Sequence, residues 1–260
     1  MVQRDQKIHF ISYGNDQFKN SKDRIYKEAM LTEWFDSITI YGPEHLDKQF
    51  IQRFRDVLIR PRGGGYWIWK LCIIMGQLDK IKDGDILIYI DSGCTINKHG
   101  EKRFYEYLDM LNQSDCGVIS FQMDNIESVW TTKQIFDYFN ITTDSYIANS
   151  GQLINGVLIM KKNENLLQQI GVWYETLCDD PELMTDHYNK DNQIASFREG
   201  RHEQSVFSVI RKQYSPILLK DETYVIPFYG EESLKYPFWA TRLKDNPVKT
   251  RSTWNMRFTK

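Results

Sequence analysis

The sequence predicts an α/β protein, a single domain whose central, mostly parallel sheet is flanked by helices. Two observations predict it. Short β-rich runs alternate along the chain with segments of helical apolar spacing, the pattern of layered α/β folds. The run Asp85-Ile-Leu-Ile-Tyr-Ile-Asp91 is apolar without alternation and bounded by acids, which suits a central strand covered on both faces. A chain of 260 residues is enough for one large domain with a sizeable core.

Taken in order, Ile8 to Ser12 reads as a first strand ending in Tyr13-Gly14. Helical apolar spacing from Lys22 to Trp34 is followed by a return to strand at Ser37 to Tyr41. Glu44 to Leu58 reads as a helix, and Arg60-Pro-Arg-Gly-Gly-Gly65 is the clearest breaker in the chain. Tyr66 to Leu78 then reads as a helix with almost no polar face, so it should be buried. Gly117 to Phe121 and Val157 to Met160 resemble the Asp85–Asp91 run and read as further inner strands. Helices at Glu101–Leu111, Thr132–Phe139, Glu164–Leu177 and Glu203–Tyr214 fill the intervals. Past Tyr229 the periodicity fades, so residues 1–228 are expected to form the domain and 229–260 an aromatic and basic extension.

Composition excludes several classes of function. Lys plus Arg number 33 and Asp plus Glu 35, a net charge of −2 that lacks the basic excess of a nucleic-acid-binding surface. No apolar run approaches the ~20 residues a membrane-spanning helix needs, and the first ten residues lack a signal-peptide apolar core. The four cysteines, Cys72, Cys94, Cys116 and Cys178, have neither metal-ligand spacing nor a disulfide framework to form at this length. A cytoplasmic address with reduced thiols is expected. Two glycosylation tripeptides, at Asn112 and Asn140, are short enough to arise by chance.

In open α/β sheets ligands bind beyond the carboxyl ends of the strands, and Asp91 stands at such an end. A carboxylate after so apolar a strand must meet a cation, accept hydrogen bonds or cap a turn. Lys70 is the single charge on an apolar helix, either a ligand contact or a side chain snorkelling to the surface. Asn155 before Gly156 has the chemistry to bind hydroxyls and equally the chemistry of a turn. Glu203 and Gln204 open a helix, where an acid also favours the dipole.

These positions resemble the motifs of nucleotide-sugar-dependent glycosyltransferases of the GT-A fold. Asp91-Ser92-Gly93 matches the first acid of their Asp-x-Asp, with glycine in place of the second. Ile154-Asn-Gly-Val-Leu-Ile159 is similar to the Asn-x-Gly-Val-Leu strand of glycogenin-like and bacterial galactosyltransferase-like members, without the intervening residue. His202-Glu-Gln-Ser-Val-Phe207 is similar to their Asp-Gln motif. The resemblance covers roughly residues 7–225. Arg62-Gly-Gly-Gly-Tyr-Trp-Ile-Trp-Lys70 together with Asp-x-Gly-Cys94 resembles a bacterial and giant-virus subgroup.

The resemblance implies a GT-A-like, Rossmann-like domain that transfers a hexose from a nucleotide diphosphate sugar, a UDP-sugar first, to a glycan or lipid-linked oligosaccharide. Asp91, Glu203 and Gln204 would serve the reaction, with Glu203 as general base or sugar ligand. Ser12, Tyr13, Arg62, Lys70, Asp91 and Asn155 would bind the donor, with Tyr13 stacking on the base. Trp67 and Trp69 would line the same cleft or pack in the core. A Mn²⁺ or Mg²⁺ ion would be held by Asp91 and His202, although Gly93 removes one anionic ligand. Arg62, Lys70 or His202 would otherwise offset the diphosphate charge. Asp186, His187 and Asp191 lie in a polar loop open to acceptor contacts or to solvent alone. The basic tail, with Arg242, Lys244, Lys249, Arg251, Arg257 and Lys260, would touch the inner face of an anionic membrane or remain solvated. The competing expectation is a non-catalytic nucleotide- or sugar-binding domain on the same fold.

Overall fold

The structure, a computed structural model, describes residues 6–243. Seven strands form the main sheet: β1 (Ile8–Tyr13), β2 (Ser37–Tyr41), β3 (Ile86–Ile90), β5 (Val118–Ile126), β6 (Gly151–Leu153), β7 (Val157–Lys161) and β8 (Ile217–Lys220). Their order is β2-β1-β3-β7-β5-β6, with β8 also beside β5. Two short strands, β4 (Thr95–Ile96) and β9 (Phe238–Trp239), pair separately and antiparallel. The longer helices are α1 (Lys19–Thr32), α2 (Trp69–Leu78), α3 (Glu101–Asn112), α4 (Glu164–Asp179) and α5 (Glu203–Gln213).

The α/β architecture stands as expected, except that two strands, β6 beside β5 and β7 beside β3 and β5, run against the others. β1 runs parallel to β2 and β3, and β8 parallel to β5, but β7 lies antiparallel to both β3 and β5. The sheet is therefore mixed.

Strand alternation sorts the core into two layers. Ile86, Ile88, Ile90, Val157 and Ile159 face one side, where they meet Ile25 of α1 and Phe104, Leu108 and Leu111 of α3. Leu87, Tyr89, Leu158 and Met160 face the other, against α2, α4 and α5. Burial of β3 on both faces explains its unbroken apolar sequence. It also places Tyr89, and Asp91 two residues on, toward the α2–α5 side.

Two expected helices differ. The 44–58 segment breaks into Lys48–Arg53, whose N-cap Asp47 accepts from Phe50 N at 2.8 Å, and a further turn at Arg55–Leu58. Helix α2 begins at Trp69 rather than Tyr66, because the chain first makes a left-handed turn. Gly63, Gly64, Gly65, Tyr66 and Trp67 have φ of 58°, 60°, 94°, 51° and 59°. Glycine is needed there: a Cβ on Gly65 would lie 2.6 Å from Leu58 Cα.

Part of the segment read as an extension returns to the domain. Phe238 and Trp239 are buried, and β9 pairs with β4 directly after the Asp91 turn. The tail basic residues from Lys244 onward lie outside the described residues.

Candidate active site

Helix α2 carries Lys70 to the end of β3. Its ammonium is 2% exposed and lies 2.7 Å from Glu203 Oε1, 3.4 Å from Asp91 Oδ1 and 2.9 Å from the Asn155 carbonyl oxygen, to which it donates. It also sits over the Tyr89 ring, 5.1 Å from the centroid. Burial by itself lowers the pKa of this amine, but Asp91 and Glu203 outweigh it and hold the ammonium above its ordinary range.

Asp91 is held differently on its two oxygens. Oδ1 accepts from the Tyr89 hydroxyl and faces Lys70. Oδ2 lies over Gly156, where an added Cβ would be 3.0 Å away, and has no hydrogen bond among the described residues. The carboxylate is 40% exposed, so it is the accessible member of the cluster. Burial, then Asp91, pushes the Tyr89 phenol well above its usual range, which keeps it a donor. Tyr89 was missed in the sequence, although its period-2 relation to Asp91 puts both on one face of β3.

Asn155 and Glu203 complete the floor. Asn155 Nδ2 donates to Glu203 Oε1 at 3.3 Å, while its Oδ1 is buried with no hydrogen-bond partner among the described residues. Glu203 Oε2 accepts from Gln204 N at 2.9 Å, so both of its oxygens are engaged and it is 4% exposed. Of the two expected roles, general base or sugar-orienting group, this geometry sets Glu203 as a buried partner of Lys70 and Asn155. Gln204 Oε1 accepts from Asn155 N at 3.2 Å and is partly exposed. The structure thus brings together Lys70, Asp91, Asn155, Glu203 and Gln204.

Arg62 and His202 go elsewhere. His202 Nε2 is 3.0 Å from Asp186 Oδ1, and Arg62 Nη1 donates to Asp186 Oδ2 at 2.9 Å, joined by the Tyr66 hydroxyl at 3.1 Å. Burial would raise the Asp186 carboxyl, but the His202 hydrogen bond, with Tyr66 and Arg62, holds it below the usual range. His202 therefore stands as a partner of Asp186 rather than a second ligand beside Asp91. Its backbone, at φ 56° and ψ −129°, is strained for a residue with a side chain. Trp67, half-buried, lies 5.4 Å from the His202 ring, and Trp69 is buried.

Ser12 and Tyr13 support the site from beneath. Ser12 is fully buried and donates to Ile90 O at 2.6 Å, and Tyr13 stacks on Trp69 with centroids 3.7 Å apart. That ring face is covered, so it is not free to stack on a base. Gly93 has a physical reason to replace an acid. Its carbonyl accepts from Leu243 N at 2.8 Å and Thr241 Oγ1 at 3.0 Å, and an added Cβ would meet Leu243 O at 3.0 Å. An open groove of about 520 Å³ runs along β5 and β8, lined by Gln122, Asp124, Tyr146 and Lys220, and does not include Asp91.

No family model matches the sequence, and no curated protein matches it. Solved structures do. A glycosyltransferase involved in glycosylation of the major capsid of PBCV-1 is 12% identical, with 90% of this chain and 91% of that chain covered and a TM-score of 0.46. Mouse xyloside xylosyltransferase 1, in its apo form, is 11% identical over 82% of this chain and 84% of that one, with a TM-score of 0.46. The galactosyltransferase LgtC, in complex with donor and acceptor sugar analogues, is 12% identical over 88% and 83%, with a TM-score of 0.41.

Proposed function

We propose that the protein is a glycosyltransferase that moves a hexose from a nucleotide diphosphate sugar, a UDP-sugar first, to a glycan or lipid-linked acceptor. The observation that carries this reading is the cluster at the end of β3. An accessible Asp91 carboxylate stands with the Asn155 and Gln204 amides, fixed from below by a buried Lys70–Glu203 pair. Amide and carboxylate groups in this number suit a hydroxyl-rich ligand, with Asp91 and Gln204 the exposed members and the buried Asn155 Oδ1 an acceptor still unfilled beneath them.

A divalent ion fits this cluster through Asp91 Oδ2. Two carboxylates and one ammonium leave a net negative charge that favours a cation. Among the described residues no group of three or more His, Cys, Asp or Glu side chains gathers to hold one, so diphosphate and water oxygens would complete the shell. Bound there, the ion would offset charge growing on the diphosphate as the glycosidic bond breaks. Asp91 would orient the donor, Gln204 would hold sugar hydroxyls, and Glu203 would order Lys70 and Asn155 rather than take the acceptor proton. Among the described residues no helix is long and apolar enough to cross a membrane, and peripheral contact is assigned to the basic tail.

Calorimetric titration with UDP, GDP and their hexose conjugates, each with Mn²⁺ and with EDTA, tests this. Mn²⁺-dependent UDP-sugar binding that is lost in Asp91→Asn, with the fold kept, is the expected result. Binding that survives EDTA would move the counter-charge to protein side chains. No nucleotide binding under either condition would refute the reading and favour the non-catalytic alternative.

A further inference from the structure

Behind the Asp91 cluster lies a second, wholly buried polar network. Glu127 is 0% exposed, and all its acceptor positions are filled. Its Oε1 accepts from Thr131 Oγ1 at 2.6 Å and Gln152 Nε2 at 2.9 Å; its Oε2 accepts from Ser208 Oγ at 2.6 Å and Lys212 Nζ at 2.7 Å. Gln152, 1% exposed, turns its Oε1 to accept from Gln204 Nε2 at 2.6 Å. Gln204 in turn gives its Oε1 to Asn155 N at 3.2 Å.

The direction of this chain is chemically forced. An ionised carboxylate only accepts, so Gln152 must present its NH₂ to Glu127 and its oxygen to Gln204. Gln204 must then donate to Gln152 and accept from the Asn155 backbone. Reversing the Gln204 amide would set oxygen against oxygen at Gln152 and N–H against N–H at Asn155, leaving buried groups unpaired at a cost of about 1–3 kcal/mol each. Lys212, 5% exposed, keeps an ion-pair partner on Glu127. At the open end, the second N–H of Gln204 has no acceptor among the described residues.

We propose that Glu127 and Gln152 are positioning residues that fix the Gln204 amide so that its remaining N–H meets a hydroxyl of the donor sugar. This rests on the nucleotide-sugar reading above. The relay acts on the sugar and not on the nucleotide, and that separates it from a merely structural network.

The test measures affinity for UDP, UDP-glucose and UDP-galactose in the full-length protein and in Glu127→Gln and Gln152→Met, with thermal melts of each. The first substitution replaces the obligate acceptor with an amide and lets the row of amides reverse. The second removes the acceptor for Gln204 at nearly unchanged volume. The expected outcome is UDP affinity within twofold of the parent and about a tenfold loss of the preference for UDP-sugar over UDP. Folded variants that keep the parental preference overturn the relay, and so do variants that are both unfolded at the assay temperature, since the network is then purely structural. A parent protein that binds no UDP-sugar removes the donor reading itself. A parent with a clear preference, unaltered in the variants, removes only the relay.

Discussion

Lys70→Met isolates the ionic centre of the site. The ammonium stands 2.7 Å from Glu203 and 3.4 Å from Asp91. At an effective dielectric near 20 these separations correspond to about 6 and about 5 kcal/mol of attraction before desolvation. Much of that is offset by the burial of both partners, and the Asp91 half is screened because that carboxylate is 40% exposed. Removing one partner of a buried pair leaves an uncompensated charge, so the expected net loss is about 3–5 kcal/mol at pH 7, read from urea unfolding. The sign with pH is also fixed. In the parent the Lys70 pKa is raised, so its contribution is complete below the unfolded lysine value and is lost only as pH climbs through the folded one. Between pH 5 and 8 the parent's contribution from this group is therefore constant. The variant instead strands a buried carboxylate that is relieved by taking up a proton on folding, so its deficit should shrink as pH falls from 8 toward 5. Lys70→Met/Glu203→Gln should recover at least half of the lost stability. A single variant within about 1 kcal/mol of the parent, or one whose deficit does not change with pH, would refute the ionic role given to Lys70.

Three further outcomes follow from the geometry. Gly93→Asp should weaken the packing of residues 241–243, because its Cβ meets Leu243 O; loss of the two hydrogen bonds to the Gly93 carbonyl would cost about 1–2 kcal/mol in urea unfolding. Gly65→Ala combines φ of 94° with a Cβ 2.6 Å from Leu58 Cα, so a loss above about 3 kcal/mol is expected in thermal or urea unfolding. Glu182 is held at a pKa of about 2, first by the Arg60 hydrogen bonds at 2.5 and 2.7 Å, then by Thr185 against the opposing effect of burial. That contribution is present above the unfolded glutamate value and lost as pH falls to about 2. With both side chains about one third exposed, screening limits it, so Glu182→Gln should cost about 1 kcal/mol at pH 7 and nothing near pH 2.

The clustering of the candidate residues was legible because they stand where this topology must gather them. Asp91 follows a strand buried on both faces, Asn155 precedes the neighbouring strand, and Glu203 opens a helix packed on that side. Strand direction was not legible. An unalternated apolar run reports burial on both faces and is blind to polarity, so β7 reads the same whether parallel or antiparallel. β6 and β8, at three and four residues, are too short for a period to register. The left-handed turn at 63–67 was hidden for another reason. Three glycines announce freedom of φ, but Tyr66 and Trp67 share the positive φ in a turn where the Trp69 indole donates to Gly63 O at 2.9 Å and both rings pack beside His202. That tertiary fixing also draws Arg62 and His202 to Asp186, an acceptor more than a hundred residues from Arg62.

The charge at the end of β3 decides what Lys70 does. A lysine on an apolar helix, met in the sequence alone, suggests a counter-ion for a ligand's phosphate. At 2% exposure, and flanked by two carboxylates, it has no field left to offer an anion, and the cluster as a whole stays negative. The ammonium instead gives Glu203, 4% exposed, its ion-pair partner. Glu203 Oε1 accepts from both Lys70 and the Asn155 NH₂, which leaves Asn155 Oδ1 as the unfilled acceptor. Glu127 imposes the same kind of direction on Gln204 through Gln152. Two buried carboxylates, each with its own lysine, therefore set the orientation of two amides, the buried Asn155 and the partly exposed Gln204. Charge that a bare phosphate would need must come from an Asp91-bound cation or from outside this cluster, which is why the donor titration is informative only when run both with Mn²⁺ and with EDTA.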